Sequence, residues 1–246
     1  MLFRSQSWLN EQTSNLLKDQ VQDIKLPANT LLALATTIDY QVQWSNEFNK
    51  DYTVAKPFHG VNGDTSEAFM EKVYTGYYYW TENFSAVSLS LLDGSSMWLF
   101  LPDEGVSPEE ITADVMDFLA NDHQDGIDRK FLEIRLSLPK FDICGEAELS
   151  EALKKLGVTD IFDSSRADFT PIYPEENGAA VNAIQHAARV HIDEQGVTAA
   201  AFTVIRTYGV AMPPEEHVDF ILDRPFMFVM ESKDGLPLFT GIVNEP

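Results

Sequence analysis

The chain has 246 residues, with 39 acidic against 17 basic side chains, a formal net charge of −22 and a single cysteine, Cys144. At 44% hydrophobic and 11% aromatic it carries enough apolar mass for a substantial core, which excludes an intrinsically disordered chain. The charge disfavours nucleic acid and anionic membranes as partners, one cysteine excludes an intrachain disulfide, and no Cys/His spacing fits a structural zinc site.

In chain order, Met1 to Asp19 places Trp8, Leu9, Leu16 and Leu17 on one face of an amphipathic helix. It lacks the apolar block and small-residue cleavage site of a secretory signal, so no signal peptide is expected. No apolar run approaches the roughly 20 residues of a membrane span. Thr30 to Gln41 (TLLALATTIDYQ) reads as a strand, apolar on both faces in its first half and alternating in its second. Ser107-Pro108-Glu109-Glu110 combines an N-cap, a proline at the first helical position and an acid three past the cap, ahead of Ile111, Val115, Phe118 and Leu119 at helical spacing. Phe131 to Leu138 alternates with period two and stops at Pro139, which predicts a strand. Leu149, Leu153 and Leu156 mark a short helix closed by Lys154, Lys155 and Gly157. Val190 to Ile192 ends another strand. At the C-terminus, Arg224 to Met230 (RPFMFVM) and Leu236 to Val243 (LPLFTGIV) flank the turn Ser232-Lys233-Asp234-Gly235 and predict a buried β-hairpin. With no repeat and no low-complexity linker, the reading is one α+β domain over residues 1–246.

Enzyme motifs are missing. Gly94-Ser95-Ser96 is not the GxSxG of a nucleophilic serine, and there is no GxGxxG or Walker loop. His59, His123, His186, His191 and His217 are dispersed, without HExxH spacing. His186 and His191, five apart in a strand, point to opposite faces and cannot share an ion. Asn121, His123, Asp125 and Gly126 resemble a calcium loop only faintly, since its twelfth position is Leu132, and read as a solvated loop.

Glu194 to His217 reads EQGVTAAAFTVIRTYGVAMPPEEH. Between Gly196 and Gly209 it is short of turn residues and rich in small and β-branched ones, which suits a strand better than a permanent loop. Pro213-Pro214 and the acids after them suit a loop better than a core strand. Val197, Ala199, Ala201, Thr203, Ile205, Thr207 and Gly209 share one face of an extended chain and carry no charge. Thr198, Ala200, Phe202, Val204, Arg206 and Tyr208 share the other. Two readings stand: a segment built for two states, and an ordinary edge strand followed by a proline turn.

An acid, a glycine and a run of alanines (EQGVTAAAF) are followed by Val218-Asp219-Phe220, RPFMFVM and FTGIVNEP, the last matching FxGxVxxP at Phe239, Gly241, Val243 and Pro246. Upstream stand Trp8-Leu9 with Thr13, TLLALATTIDYQVQW ending at Trp44, Ser96-Met97 with Leu101-Pro102, LSLPKFDI at Leu136 to Ile143, and LKKLGVTDIF with Ala167-Asp168-Phe169. In number and order these motifs resemble the serpins through most of the chain.

The resemblance implies a serpin fold, with mixed β-sheets, surrounding helices and an exposed reactive-centre loop over about 194–214. It implies an inhibitor of serine proteases rather than an enzyme, with no cofactor and no metal. In that family the protease cleaves the loop, which then inserts as a strand into the main sheet and traps the acyl-enzyme. The hinge would be Glu194, Gly196, Val197, Thr198, Ala199, Ala200 and Ala201; Val197 stands where the family usually has Thr, and Phe202, where it tends to have Ala, lies on the opposite face. Counting forward from Gly196 puts the reactive bond at Val210-Ala211; counting back from Val218 gives Ala211-Met212 or Met212-Pro213, the last disfavoured by its proline. Small aliphatic residues suit an elastase-like protease, while Arg206 and Tyr208 offer trypsin-like and chymotrypsin-like alternatives.

Trp44, Lys140 and Glu194 match the family's breach, and His186 its shutter, where Thr36 replaces the usual Asn, Asp39 an aromatic residue and Ala187 a Lys. The net charge disfavours a heparin-like cofactor. A complete serpin is roughly half again as long, and the opening helices, two strands of the main sheet and one of the second have no counterpart before Met1. An N-terminally truncated domain is therefore expected, through a misplaced start, a true non-inhibitory fragment, or completion by a partner chain. The family implies secretion, and the acidity and lack of disulfides are compatible with a bacterial member. A non-inhibitory serpin-like binding protein is the alternative.

Overall fold

The computed structural model describes residues 40–121, 128–172, 178–197 and 214–246. The chain packs as two compact units, Met1–Asp39 with Cys144–Arg189, and Tyr40–Ile143 with Val190–Pro246. The predicted helix at Met1 to Asp19 lies outside the described residues, as does most of the predicted strand at Thr30 to Gln41. Its last two residues, Tyr40 and Gln41, are not in a strand; the ladder begins one residue later, at β1 (Val42–Gln43).

The larger unit is built on a long sheet. Its strands are β2 (Val54–Gly60), β3 (Gly63–Trp80), β4 (Phe84–Ser90), β5 (Ser96–Pro102), β6 (Asp128–Pro139), then, after β7 (Phe141–Glu148), β8 (Gln185–Ile192) and β9 (Gly196–Val197), β10 (His217–Ile221), β11 (Phe226–Glu231) and β12 (Pro237–Val243). The order is β10-β6-β3-β4-β5-β11-β12, with β2 also paired to β3. All these pairs are antiparallel except β10 on β6. The aromatic and β-branched run from Val73 to Trp80 supplies the strand propensity that lets β3 extend over 18 residues and pair with three strands, β2, β4 and β6.

Strand sequence explains why this sheet has a core on each face. In β5, SMWLFLP, Met97, Leu99 and Leu101 enter one cluster while Trp98 and Phe100 enter the other. β11 divides likewise, with Phe226, Phe228 and Met230 against Met227 and Val229. Strands buried on both faces read as continuous apolar runs because neither set of alternate side chains meets water. One face is covered by α1 (Thr112–Ala120), whose Val115, Phe118 and Leu119, with Ile111 before it, are buried there as expected from their spacing. The helix starts later than Ser107, however. The Ser107 carbonyl accepts from the Glu110 N–H at 3.1 Å and Glu110 Oε2 accepts from the Ser107 N–H at 3.2 Å, which closes a separate turn ahead of it.

The predicted C-terminal hairpin is present as β11 and β12, but its burial is asymmetric. β11 is buried throughout, whereas β12 is the outermost strand among the described residues and exposes Leu236 ahead of it and Leu238 within it. Gly241 in the FxGxV motif is explained by packing, since a Cβ there would sit 2.7 Å from the Phe228 ring.

A second, small sheet has the order β1-β9-β8-β7, and within the larger unit Val42, Trp44, Val190, Ile192 and Val197 belong to the cluster that also holds Met97 and Phe228. In the smaller unit, α2 (Ser150–Lys155) fulfils the predicted short helix, and Gly157 follows with φ +93°. Glu148 caps it: its Oε1 accepts from the Ser150 N–H at 3.0 Å and the Ile184 N–H at 3.1 Å, and the Ser150 hydroxyl bond leads these contacts in holding the carboxyl below its usual value. Leu156, expected on its apolar stripe, is 80% exposed.

Candidate functional site

The site is the turn that joins β8 to β9. β8 delivers the chain to Asp193, whose Oδ1 accepts from the Gln195 N–H at 2.8 Å and the Gly196 N–H at 3.2 Å. The Asp193 N–H donates to the Gly196 carbonyl at 3.1 Å. An aspartate that bonds the backbone two and three residues ahead reverses the chain locally. Gly196 and Val197 thus run back antiparallel to β8, with Val197 opposite Ile192, and on their other side pair with β1, Val197 opposite Val42 and Gly196 opposite Gln43. Two residues of the predicted hinge therefore lie as a strand between two others.

Gly196 has φ +152°, and a Cβ built on it would stand 2.2 Å from the Val42 carbonyl oxygen. Only a residue without a side chain allows the hinge this close to β1. Val197 is 3% exposed, which fixes the inward face of the segment as the one carrying the uncharged alternate residues.

Trp44 sits above the turn. Its backbone N–H donates to the Gln195 carbonyl and the Phe48 N–H to the Glu194 carbonyl, each at 3.0 Å, while the indole Nε1 donates to the Asp193 carbonyl at 2.9 Å. The Phe48 ring meets the indole edge to face at 5.8 Å, and Lys72 Nζ lies 4.7 Å from its centroid. Lys72 also donates to the Asn46 carbonyl. Burial pulls the Lys72 amine down to about 8 against the opposing pull of Glu47.

Glu194 turns inward. Its side chain is 5% exposed and bonds Lys140 Nζ, 37% exposed, at 2.6 Å. The Thr53 hydroxyl donates to the same oxygen at 2.7 Å. Burial pushes the carboxyl up, but the Lys140 ammonium and the Thr53 hydroxyl together outweigh it and hold Glu194 below its ordinary value of 4.5. Such a carboxyl binds its proton more weakly folded than unfolded, so its contribution to stability is complete above 4.5 and is lost as pH falls through the folded value. Lys140→Met, which strands the buried carboxylate, is expected to cost about 1–3 kcal/mol in denaturant unfolding at neutral pH. Acidification below the ordinary carboxylate value should narrow the gap between that variant and the unsubstituted chain; a gap that does not change with pH would show that the pair carries no such linkage.

The breach expected from sequence, Trp44, Lys140 and Glu194, is thus brought together, and Glu194, Gly196 and Val197 of the hinge stand at it. Thr198, Ala199, Ala200 and Ala201, the reactive-bond candidates Val210, Ala211 and Met212, and Arg206 and Tyr208 lie outside the described residues, as does Thr36 of the shutter. His186 is on β8 with an exposed side chain. Sequence reasoning missed Thr53 and Asp193. The Asp-x-x-Gly spacing of 193–196 is a turn signal that could have found the second; nothing local marks Thr53, which reaches Glu194 from 141 residues away. It also missed the cluster beside β1 in which the Tyr40 hydroxyl donates to Asp93 at 2.5 Å and lies 2.7 Å from the Ser95 hydroxyl, with the phenol pushed up to about 12 by burial and the neighbouring carboxylate.

Comparison with known proteins gives the family of the chain. Residues 4–246 match the family model described as serpin (serine protease inhibitor). Serpin-Z1C of Triticum aestivum is 32% identical over 98% of this chain and 62% of its own length. Among solved structures, a serpin from the trematode Schistosoma haematobium aligns with TM-score 0.79 at 22% identity, over 99% of this chain and 62% of that one. Human thyroxine-binding globulin complexed with thyroxine aligns with TM-score 0.80 at 23% identity, over 99% and 63%. The chain spans about three fifths of the length of these relatives. With a family model matched over residues 4–246, the chain belongs to the serpin family.

Proposed function

We propose that the chain is a serine protease inhibitor that is cleaved in its loop, traps the acyl-enzyme and inserts the loop between β1 and β8, with an elastase-like protease as its target. One observation carries this reading: Gly196–Val197 is paired on both sides, so the first two residues of the inserted strand are already docked. Extending the same registers puts Ala199 opposite Tyr40 and Val190, and each further residue adds ladder bonds and buries an uncharged side chain. Strand addition of this kind gives the insertion its driving force.

The reactive bond is assigned to Val210-Ala211, whose small side chains fit shallow specificity pockets. The test is incubation of the chain with elastase-like, trypsin-like and chymotrypsin-like proteases, followed by denaturing electrophoresis and mass measurement of the released C-terminal piece. A protease complex that survives denaturation, with a released piece starting at Ala211, is expected for the elastase-like enzyme. Trapping with a piece starting at Thr207 would move the reactive bond to Arg206 and the target to a trypsin-like enzyme. Clipping without any stable complex would make the chain a substrate and a non-inhibitory member of its family.

A further inference from the structure

Within the larger unit, the hairpin of β2 and β3 turns through Val61 and Asn62 alone, since Gly60 stands opposite Gly63. Val61, Asn62 and Gly63 are all exposed. Gly63 has φ +122°, which an L side chain rarely adopts, and no described atom lies within 4 Å of where its Cβ would stand. Among the described residues β2 pairs with β3 and with no other strand, so the rung of Gly60 and Gly63 is the outer end of a ladder and opens at little cost. Asn62 is also the one described asparagine that a glycine follows; Asn177 shares the pattern but lies outside the described residues.

The C-terminus lies against this turn. Asn62 Nδ2 donates to Glu245 Oε1. A Cβ on Gly60 would stand 3.1 Å from the Asn244 carbonyl oxygen and 3.2 Å from Glu245 Cγ, so the last residues of the chain rest directly on the hairpin tip. One rung further in, His59 Nδ1 lies 2.9 Å from Asp64 Oδ1, and the His59 N–H donates to the Asp223 carbonyl at 2.7 Å. At Asn62 a neutral amide sets a donor against a carboxylate. A carboxylate in its place would set an acceptor against an acceptor, with like charges.

We propose that Asn62 is a site of self-modification, at which hydrolytic loss of its amide unfastens the C-terminus from the hairpin tip. The Gly63 backbone nitrogen gives its proton to solvent base and attacks Asn62 Cγ. The new N–C bond forms as the Cγ–Nδ2 bond breaks, and ammonia leaves with a proton taken from water. Water then opens the cyclic imide at either carbonyl, which leaves aspartate or isoaspartate. Gly63 suits the attack because no side chain crowds its nitrogen and open space surrounds it for the ring. Both products face Glu245 with a carboxylate. Isoaspartate also carries the backbone through the former side chain, which lengthens a turn whose two residues fix the register of Gly60 on Gly63. The assignment does not depend on the chain being an inhibitor.

The test is incubation of the full chain at physiological temperature, at neutral and at mildly alkaline pH, with peptide mapping by mass over time. Asn62 should gain about 1 Da at least about tenfold faster than any other described asparagine, faster at the higher pH, and largely as isoaspartate. Asn62→Gln, which keeps the amide but must close a larger ring, should show no such gain at that position. Amide exchange in the separated modified chain should be about fivefold or more faster at residues 59–64 and 242–245, with the core strands β5 and β11 unchanged. Asn62 that keeps its amide as long as the other described asparagines overturns the proposal. Modified chain that exchanges like the fresh chain in both segments overturns it as well.

Discussion

On the proposed inhibitory reading, Ala199→Arg is expected to turn the chain from a trap for its protease into a substrate, while Ala200→Arg is not. Val197 is buried between β1 and β8, and alternation along an extended strand puts Ala199 on the same inward face and Ala200 on the outward one. In the extended register Ala199 meets Val190, which belongs to the same apolar cluster as Ile192 and Val197. A guanidinium placed there loses its water without gaining a partner, at a cost of several kcal/mol. Because trapping depends on insertion outrunning hydrolysis of the acyl-enzyme, and about 1.4 kcal/mol is a factor of ten in rate, Ala199→Arg should lower the trapped fraction by about a hundredfold or more. Electrophoresis of each variant with the protease under denaturing conditions reads this directly. Equal trapping by the two variants would mean that residue 199 does not enter the sheet on the face that Val197 defines.

The second large effect is expected from Gly196→Ala, the smallest substitution in the hinge. The added methyl would lie 2.2 Å from the Val42 carbonyl oxygen and 2.7 Å from the Gln43 Cα, both backbone atoms that cannot swing aside as a side chain would. The φ of +152° adds conformational strain for any L side chain. Together these should cost about 2–5 kcal/mol if β9 stays in place. The cheaper response is release of Gly196–Val197 from between its neighbours, with loss of the ladder bonds to β1 and β8. Expected results are faster proteolysis around residues 194–200 and faster amide exchange at Val42 and Gln43, with the cores around β5 and β11 unaffected. A variant as protected as the unsubstituted chain would contradict the close approach of hinge and β1.

Much of this was legible in the sequence, for identifiable reasons. Period-two alternation predicts which side chains share a face, and Val197 lies on the buried one; reading the segment as a hinge needed the family resemblance. The helix face of Ile111, Val115, Phe118 and Leu119 followed from 3.6-residue periodicity, although the capping signature at Ser107 marked a separate turn rather than the helix start. Lys140 and Glu194 could be paired only through the family resemblance, since nothing in composition or spacing brings residues so far apart together. What stayed hidden depends on tertiary neighbours. The apolar run of β12 reads like that of β11, and only its place at the sheet edge leaves one exposed and the other buried. Leu156 completes a stripe in α2 that nothing among the described residues covers. Thr53 is a polar residue in an ordinary loop until the fold sets it against a buried carboxylate.

Once the loop is cut, the segment after Val197 is expected to continue the strand begun by Gly196–Val197 between β1 and β8. Amide hydrogen exchange of the chain before and after a single cut at Val210-Ala211 tests it most directly. Cleavage should slow exchange at residues 198–204 and at Val190–Ile192 by orders of magnitude, because each gains sheet hydrogen bonds and burial. Residues 198–204 that exchange as freely after cleavage as before would mean that the loop does not enter the sheet, and the inhibitory account would fail with it.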